Sequence, residues 1–109
     1  MPRVKDDRIN KIGETYLLDP QNEITLSEWA ERLSFSQRTL IRKIKKETGM
    51  TFREYRRQAR ILASIGLLFE DQNITNTGLD VGFNTTSSFI QSFKTVTGTT
   101  PYKYIKSKT

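Results

Sequence analysis

The stretch TFREYRRQARILASIGLL, residues 51–68, decides the fold of this chain. Its apolar residues recur at helical spacing, which predicts one long helix with a single buried stripe. Thr51 followed three residues later by Glu54 is a capping-box signature, in which two residues satisfy free backbone donors at a helix start. At 1.5 Å per residue this helix is about 27 Å long. The predicted stripe consists of Phe52, Tyr55, Ala59, Leu62, Ala63 and Leu67.

Composition narrows the classes of function. The 109 residues include no cysteine and no histidine, which excludes disulfides and removes the commonest general base and the commonest zinc ligand. We therefore expect one domain that is not an enzyme and that uses no metal or cofactor. No apolar run approaches the roughly 20 residues that cross a bilayer, so a soluble, cytoplasmic protein is expected.

The net charge of +6 is concentrated in one part of the chain. Residues 38–60 hold nine Lys or Arg against only Glu47 and Glu54, a surplus of +7. A basic block inside a nearly neutral domain favours a polyanionic partner. A solvated helix face is the usual alternative for a charge run, but this block coincides with the helical patterns described next.

Two copies of one pattern flank the long helix. The first copy recurs at an offset of 48 residues up to its turn and 49 beyond it, so one extra residue lies near Asn84 and Thr85. Each copy has a short helix, a small residue where the helices cross, a tight turn and a second helix, which is the helix-turn-helix arrangement. The matched residues are Leu26, Ala30, Leu33, Phe35, Leu40, Ile44 and Gly49, and then Ile74, Gly78, Val81, Phe83, Phe89, Phe93 and Gly98.

The sequence therefore predicts an all-α fold of seven helices, with two homeodomain-like helix-turn-helix subdomains joined by a long linker helix. Residues 1–50 form the first unit with an N-terminal helix at 6–18, residues 51–68 the linker, and residues 69–109 the second unit. Within the first unit the second helix spans 37–48 and ends at Gly49, a left-handed cap position. The polar stretch 69–73 is expected to break the linker helix, and a last helix starts at Thr100 and Pro101.

The second helix of the first copy exposes a basic face at spacing i, i+3, i+4, i+7, formed by Arg38, Ile41, Arg42 and Lys45. Arginine reads guanine bidentately, and an exposed aliphatic side chain contacts the thymine methyl group. Ile41 is therefore predicted to contact bases, with partial packing against a neighbour as the alternative. A linker of about 27 Å could hold two such helices in consecutive major grooves of one duplex.

The matching face of the second copy is polar and uncharged. Gln reads adenine, whereas Ser and Thr bond either base edges or phosphates. Base contacts and backbone-only contacts are about equally supported here, so specificity should rest mainly on the first copy. The predicted base contacts of this copy are Thr86, Ser87, Ser88 and Gln91. The predicted contacts to the DNA backbone are Ser36, Gln37, Lys45, Lys46, Thr85, Lys94 and Lys103.

The chain resembles the DNA-binding domain of the AraC/XylS family over essentially its whole length. The resemblance is carried by Leu26-x-x-Trp29-Ala30-x-x-Leu33, by Phe52-x-x-Tyr55-x-x-x-x-Arg60-x-x-x-Ala63, and by Ser88-Phe89-x-x-x-Phe93-Lys94-x-x-x-Gly98-x-x-Pro101-x-x-Tyr104. It implies sequence-specific binding of double-stranded promoter DNA by a bacterial regulator, usually an activator that works through RNA polymerase. It also implies a separate effector-binding or dimerisation domain outside these residues.

The chain departs from the family pattern in the second unit, where Asn76-Thr77-Gly78 replaces the usual Glu-Ile-Ala. We expect the helix at 74–82 to be the least stable element, since Gly costs about 1 kcal/mol relative to Ala. Either the second unit is looser, or Gly78 permits a closer helix crossing. Because of this weakness and the uncharged second face, the alternative function is a protein-interaction module with weak or non-specific DNA binding.

Two large side chains receive structural roles. Trp29 replaces a usual aliphatic residue, and we expect it to pack in the core rather than to contact a ligand. Arg60 lies near the apolar stripe of the linker helix, so we favour a structural ion pair over a phosphate contact. Its predicted partners are Glu28, Glu31 or Asp80.

Overall fold

The computed structural model of the protein describes residues 6–71 and 73–108, and within these ranges it contains seven helices and no strand. The all-α prediction is confirmed. The molecule is elongated, 43 Å by 22 Å by 20 Å. The helices are α1 (Asp7–Leu18), α2 (Leu26–Arg32), α3 (Gln37–Thr48), α4 (Phe52–Asp71), α5 (Ile74–Asp80), α6 (Thr86–Thr97) and α7 (Pro101–Lys108).

The duplication seen in the sequence extends to the hydrogen bonds that begin and end the helices. Ser36 Oγ accepts a bond from the backbone N–H of Thr39 at 3.1 Å, and Thr85 Oγ1 accepts one from that of Ser88 at 3.0 Å. These are N-caps of α3 and α6. Both helices then end at a left-handed glycine, Gly49 with φ 75° and Gly98 with φ 85°. The second half of each unit is thus built by the same local chemistry.

Helix α4 supports two separate cores, and this corrects the single stripe expected from the sequence. Tyr55 and Ala59 are buried in the first core, whereas Ile61 and Leu68 are buried in the second. At about 100° per residue the two pairs lie roughly half a turn apart around the helix. Leu62, Ala63 and Leu67 are only partly buried. The face changes because the two units pack on opposite sides of α4.

The predicted end of the linker helix at residue 68 is also wrong, since α4 continues to Asp71. Phe69 packs against the ring of Tyr104 on α7, with ring centroids 6.3 Å apart. Leu68 is fully buried in the second core. These tertiary contacts hold the last turn despite its polar sequence. The capping box at the other end is confirmed, because the Thr51 N–H donates to Glu54 Oε1 and the Glu54 N–H donates to Thr51 Oγ1.

Gly78 lies where α5 crosses α6, and the structure supports the closer-crossing interpretation of this residue. A Cβ atom at Gly78 would lie 3.0 Å from Phe89 Cβ, Cγ and Cδ2, so α6 approaches the α5 backbone directly. The N-terminus of α5 keeps one cap, since Asn73 accepts a hydrogen bond from the Asn76 N–H at 2.9 Å. The low stability expected for α5 stays a prediction.

Trp29 is a core residue, 3% exposed, as expected. Its Nε1 donates to the hydroxyl of Tyr16 at 3.0 Å, and that hydroxyl donates to Ile24 O at 2.9 Å. A buried indole and a buried phenol therefore satisfy each other, as such groups usually do. This pair fixes α1 and α2 within the first unit.

Arg60 is structural, as predicted, but its predicted partners are wrong. It is 8% exposed, its Nε donates to Pro20 O at 2.6 Å, and its Nη2 donates to Asn22 O at 2.8 Å. The nearest carboxylate is that of the exposed Glu23, at 4.0 Å. Arg60 therefore holds the loop after α1 mainly through backbone carbonyls, which no charge pattern in the sequence marks.

Candidate nucleic-acid interface

Helix α3 presents the basic face that the sequence predicts. Leu40 and Ile44 are fully buried, while Arg38, Arg42 and Ile41 are exposed on the other side of the helix. Ile41 is 51% exposed, so about half of its side chain is open to a base edge even where the rest packs partly against neighbours, which was the alternative. An apolar side chain held in water between two arginines is available to a base edge. Neither arginine forms an ion pair with a described residue.

The remaining cations of α3 divide into two groups. Lys45 and Lys46 are exposed, and Lys45 Nζ donates only to the backbone O of Gly49 at 3.1 Å. Lys43 is instead partly buried and lies 3.4 Å from Asp6 Oδ2. The backbone N–H of Arg8 first, and then the Arg8 and Lys43 side chains, lower the pKa of Asp6. Lys43 is therefore a structural residue, which leaves the other two lysines free for phosphates.

The start of α3 is exposed, with Ser36 and Gln37 both open to solvent. The Ser36 hydroxyl caps α3 and also donates to Thr39 Oγ1 at 2.9 Å. Its equivalent Thr85 caps α6 in the same manner and is likewise exposed. Both helix N-termini thus carry backbone donors of the kind that bind phosphate oxygens. Lys103 is exposed in the first turn of α7, on a different element.

The four predicted base-contacting residues of α6 do not share one face. Ser87 and Gln91 are exposed opposite the buried Phe89, and Lys94 lies on the same side. Thr86 is half-buried, and its hydroxyl donates to Thr75 Oγ1 of α5 at 3.3 Å. Ser88 is exposed on the flank of α6 that faces α4, and Gln91 also lines the cleft between these two helices. Only part of the predicted surface therefore stands where the α3 face does.

Of two further surface features, the first was missed at the sequence level and the second was visible there only in part. Ile90 occupies the position of Ile41 at the offset of 49 residues and is half-buried, so that offset was sufficient to identify it. The other is a row of arginines on α4, Arg53, Arg56, Arg57 and Arg60, which lines a cleft of about 400 Å³ against α6. Their spacing in the sequence marks one helix face. Nothing in the sequence indicated that α6 would form the other wall.

The exposed surface of α3 and α6 offers hydrogen-bonding groups, positive charge and apolar contact. No group of three or more His, Cys, Asp or Glu residues that could hold a metal occurs among residues 6–71 and 73–108. None of the helices in those ranges is long and apolar enough to cross a membrane. The exposed groups of α3 and α6 are guanidinium, ammonium, amide, hydroxyl and aliphatic, which together are the groups that contact DNA bases and phosphates.

Comparison with known proteins agrees with the helix-turn-helix fold. Residues 29–107 match a protein-family model described as a helix-turn-helix domain. The chain is 30% identical over 105 residues to the HTH-type transcriptional regulator NimR of Escherichia coli K12. This alignment covers 96% of the present chain and 38% of NimR. Its fold matches the C-terminal domain of AraT, a response regulator from Geobacillus stearothermophilus, with a TM-score of 0.77, 26% identity, and coverage of 97% and 88% of the two chains.

A further match is the DNA-binding domain of AdpA, a global transcriptional factor whose structure was solved in complex with a target DNA. The TM-score is 0.75 at 20% identity, and the alignment covers 94% of this chain and 93% of that one. Fold and surface together define a helix-turn-helix DNA-binding domain of a transcriptional regulator. The chain belongs to the AraC/XylS family of these domains. It spans less than two fifths of the length of the curated relatives that it matches.

Proposed function

We propose that the chain binds double-stranded promoter DNA in a sequence-specific manner, with α3 and α6 in successive major grooves. The observation that carries the proposal is the face of α3, where Arg38, Ile41 and Arg42 are exposed without a partner among the described residues. Because these side chains make no bond to another described residue, they can contact base edges without first breaking an internal interaction, and the rigid helix lowers the ordering cost of binding. The DNA-binding domain of AdpA, which has a similar fold, was solved in complex with a target DNA, and this supports DNA binding by the present fold.

The second unit contributes less base recognition in this proposal. Ser87 and Gln91 are exposed on the outer side of α6 and can bond base edges, whereas Thr86 is engaged with Thr75. Ser88 is exposed on the flank toward the α4 arginines, a cleft that Gln91 also lines. The second unit therefore contributes mainly through Gln91 and through contacts to phosphates. The groups assigned to the DNA backbone are Ser36, Gln37, Lys45, Lys46, Thr85, Lys94 and Lys103.

The length of the molecule is compatible with two grooves. Helix α4 has 20 residues and is therefore about 30 Å long, close to the roughly 34 Å that separates successive major grooves on one face of B-DNA. In a complete regulator, an effector-binding or dimerisation domain outside this chain would control binding, and contact with RNA polymerase would convert binding into activation.

Selection of bound sequences from a random pool of duplexes of about 30 base pairs tests the proposal. Two short boxes separated by about one helical turn, with a steep loss of affinity as salt rises, are expected. A single box would assign base recognition to α3 alone. No enrichment over the input pool would contradict the proposal and favour a protein-interaction module.

A further inference from the structure

The arginine cleft consists of Arg53, Arg56, Arg57 and Arg60 on α4, facing Ser88, Gln91 and Thr95 on α6. Its volume is about 400 Å³, enough for a small anion with its waters. No Asp or Glu is among the residues that line it. The cleft thus sets guanidinium groups on one wall against neutral hydrogen-bonding side chains on the other.

The four arginines differ in how fully they are already engaged. Arg60 is held by the carbonyls of Pro20 and Asn22, and Arg56 lies over the ring of Phe52 at 5.3 Å. Arg53 and Arg57 donate no hydrogen bond to any described residue, and Arg57 Nε is buried without an acceptor. A buried charged donor without an acceptor is unfavourable, so a ligand that supplies one would be stabilised here.

The charges in the cleft also repel one another. Burial first, and then the nearby charge of Arg56, lower the pKa of Arg60, and Glu23 only partly offsets this effect. Glu54 lies near Arg57, but its carboxylate accepts a hydrogen bond from the Thr51 N–H. A bound anion would relieve the repulsion that these carboxylates leave in place.

The geometry points to a phosphate group as the ligand, and we propose that Arg53 and Arg57 bind it with the hydroxyls of Ser88 and Thr95. Guanidinium presents a planar fork that matches two phosphate oxygens, and the hydroxyls can donate to the others. Two sources share this chemistry, the backbone of duplex DNA lying along α6 and a small phosphorylated molecule. The first source rests on the function proposed above, whereas the second does not.

Calorimetric titration with pyrophosphate, in the absence of DNA, tests the site directly on the 109-residue chain. Wild-type protein should bind one pyrophosphate, and Arg57→Gln should weaken binding by at least about tenfold. Arg53→Gln removes an exposed arginine and should act in the same direction without affecting folding. Arg32→Gln is the matched control, since Arg32 is an exposed arginine at the end of α2 with no assigned contact to DNA.

The same variants are then compared in salt titrations of DNA affinity. If the DNA backbone is the source, Arg57→Gln should lower the slope of log affinity against log salt by about 0.9, the value for one phosphate contact. Pyrophosphate binding that the cleft variants lose and Arg32→Gln keeps, with the same salt slope for all three variants, would identify a small-molecule site. A lowered salt slope without pyrophosphate binding would identify the DNA backbone.

The inference is overturned if both cleft variants match Arg32→Gln in both measurements. If the wild-type chain binds no DNA, the proposed function fails, and the pyrophosphate titration alone tests whether the cleft is a phosphate site. Binding that depends on Arg57 would then sustain the cleft as a phosphate site, and absence of binding would remove it as well.

Discussion

Exposed side chains on α3 and α6 divide into those that can distinguish bases and those that supply only charge. Arg42 has five donors in a fixed fork and can read guanine in the major groove. Lys94 is a flexible point charge, suited to a phosphate oxygen whatever the sequence. Both are exposed on the outer faces of equivalent helices. Their chemical difference should therefore appear as a difference in specificity rather than in affinity alone.

Arg42→Ala should cost about 1–3 kcal/mol on the preferred site and relax one base position. Lys94→Ala should instead weaken binding to all sequences alike and lower the salt slope by about 0.9. Titrations against the preferred site and its single-base variants measure both effects. A uniform loss for both mutants would show that the base-reading face has been assigned wrongly.

The turns of the two units offer a second comparison of single residues. Ser34 has φ 62° and its equivalent Gly82 has φ 97°, so both occupy the left-handed region. A residue with a Cβ is strained there by about 1–2 kcal/mol. Glycine avoids this strain, but it loses more backbone entropy on folding, which offsets part of the gain. Ser34→Gly should thus stabilise the protein by up to about 1 kcal/mol, as measured by urea unfolding.

The reverse change, Gly82→Ser, should destabilise by more than Ser34→Gly stabilises. A Cβ at Gly82 would lie 3.0 Å from Arg60 Cζ and 3.1 Å from Pro20 O, so steric crowding adds to backbone strain. Equal and opposite effects at the two positions would mean that this crowding is relieved by movement of Arg60.

At the scale of the elements, features set by neighbours in sequence were predictable and those set by tertiary contacts were not. The caps at Ser36 and Gly49, and the exposed face of α3, follow from local spacing. The end of α4 depends on the contact between Phe69 and Tyr104, which are 35 positions apart in the chain. The bond from Thr86 to Thr75 was likewise not predictable, since it reflects how α5 and α6 cross.

The crossing of α5 and α6 leads to a prediction that opposes helix propensity. Gly78→Ala should improve the intrinsic stability of α5 by about 1 kcal/mol, but overpacking against Phe89 costs about 1–3 kcal/mol. The Phe89 Cβ, 3.0 Å from the new methyl group, is fixed to the backbone and cannot rotate away. We expect a net loss of stability in thermal and urea unfolding.

Ala30 in α2 is the matched position of the first unit, buried at 3% exposure. Ala30→Gly should also destabilise, because it lowers helix propensity and leaves a small cavity. A loss of stability in both Gly78→Ala and Ala30→Gly would show that each unit has its own distance at which the two helices cross. A gain in stability for Gly78→Ala would instead indicate that the second unit packs loosely.

At the scale of the whole molecule, the relative placement of the two reading helices depends on how the units are fastened together. Arg60 contributes from the middle of α4, where its guanidinium bonds Pro20 O and Asn22 O and lies 5.5 Å from the Tyr16 ring centroid. The turn at Gly82 packs on the same guanidinium from the second unit. Gln21 Nε2 adds a bond to Leu79 O across the units at 3.4 Å. A single side chain thus contacts both units and the linker.

Arg60→Lys keeps a charge but cannot reproduce the fork that serves two carbonyls. We expect a loss of about 1–3 kcal/mol in the free energy of unfolding, since hydrogen bonds to a charged group are worth about that much.

Arg60→Lys should also relax the required spacing between the two DNA boxes. Wild-type protein should lose at least about tenfold in affinity when the boxes are moved by one base pair, because rigid units cannot follow the change, and Arg60→Lys should lose less. Arg56→Lys is the control, since Arg56 makes no hydrogen bond to the first unit's loop, and it should keep both the stability and the spacing preference. A wild-type protein that tolerates every spacing equally would show that Arg60 stabilises the fold without setting the distance at which DNA is read.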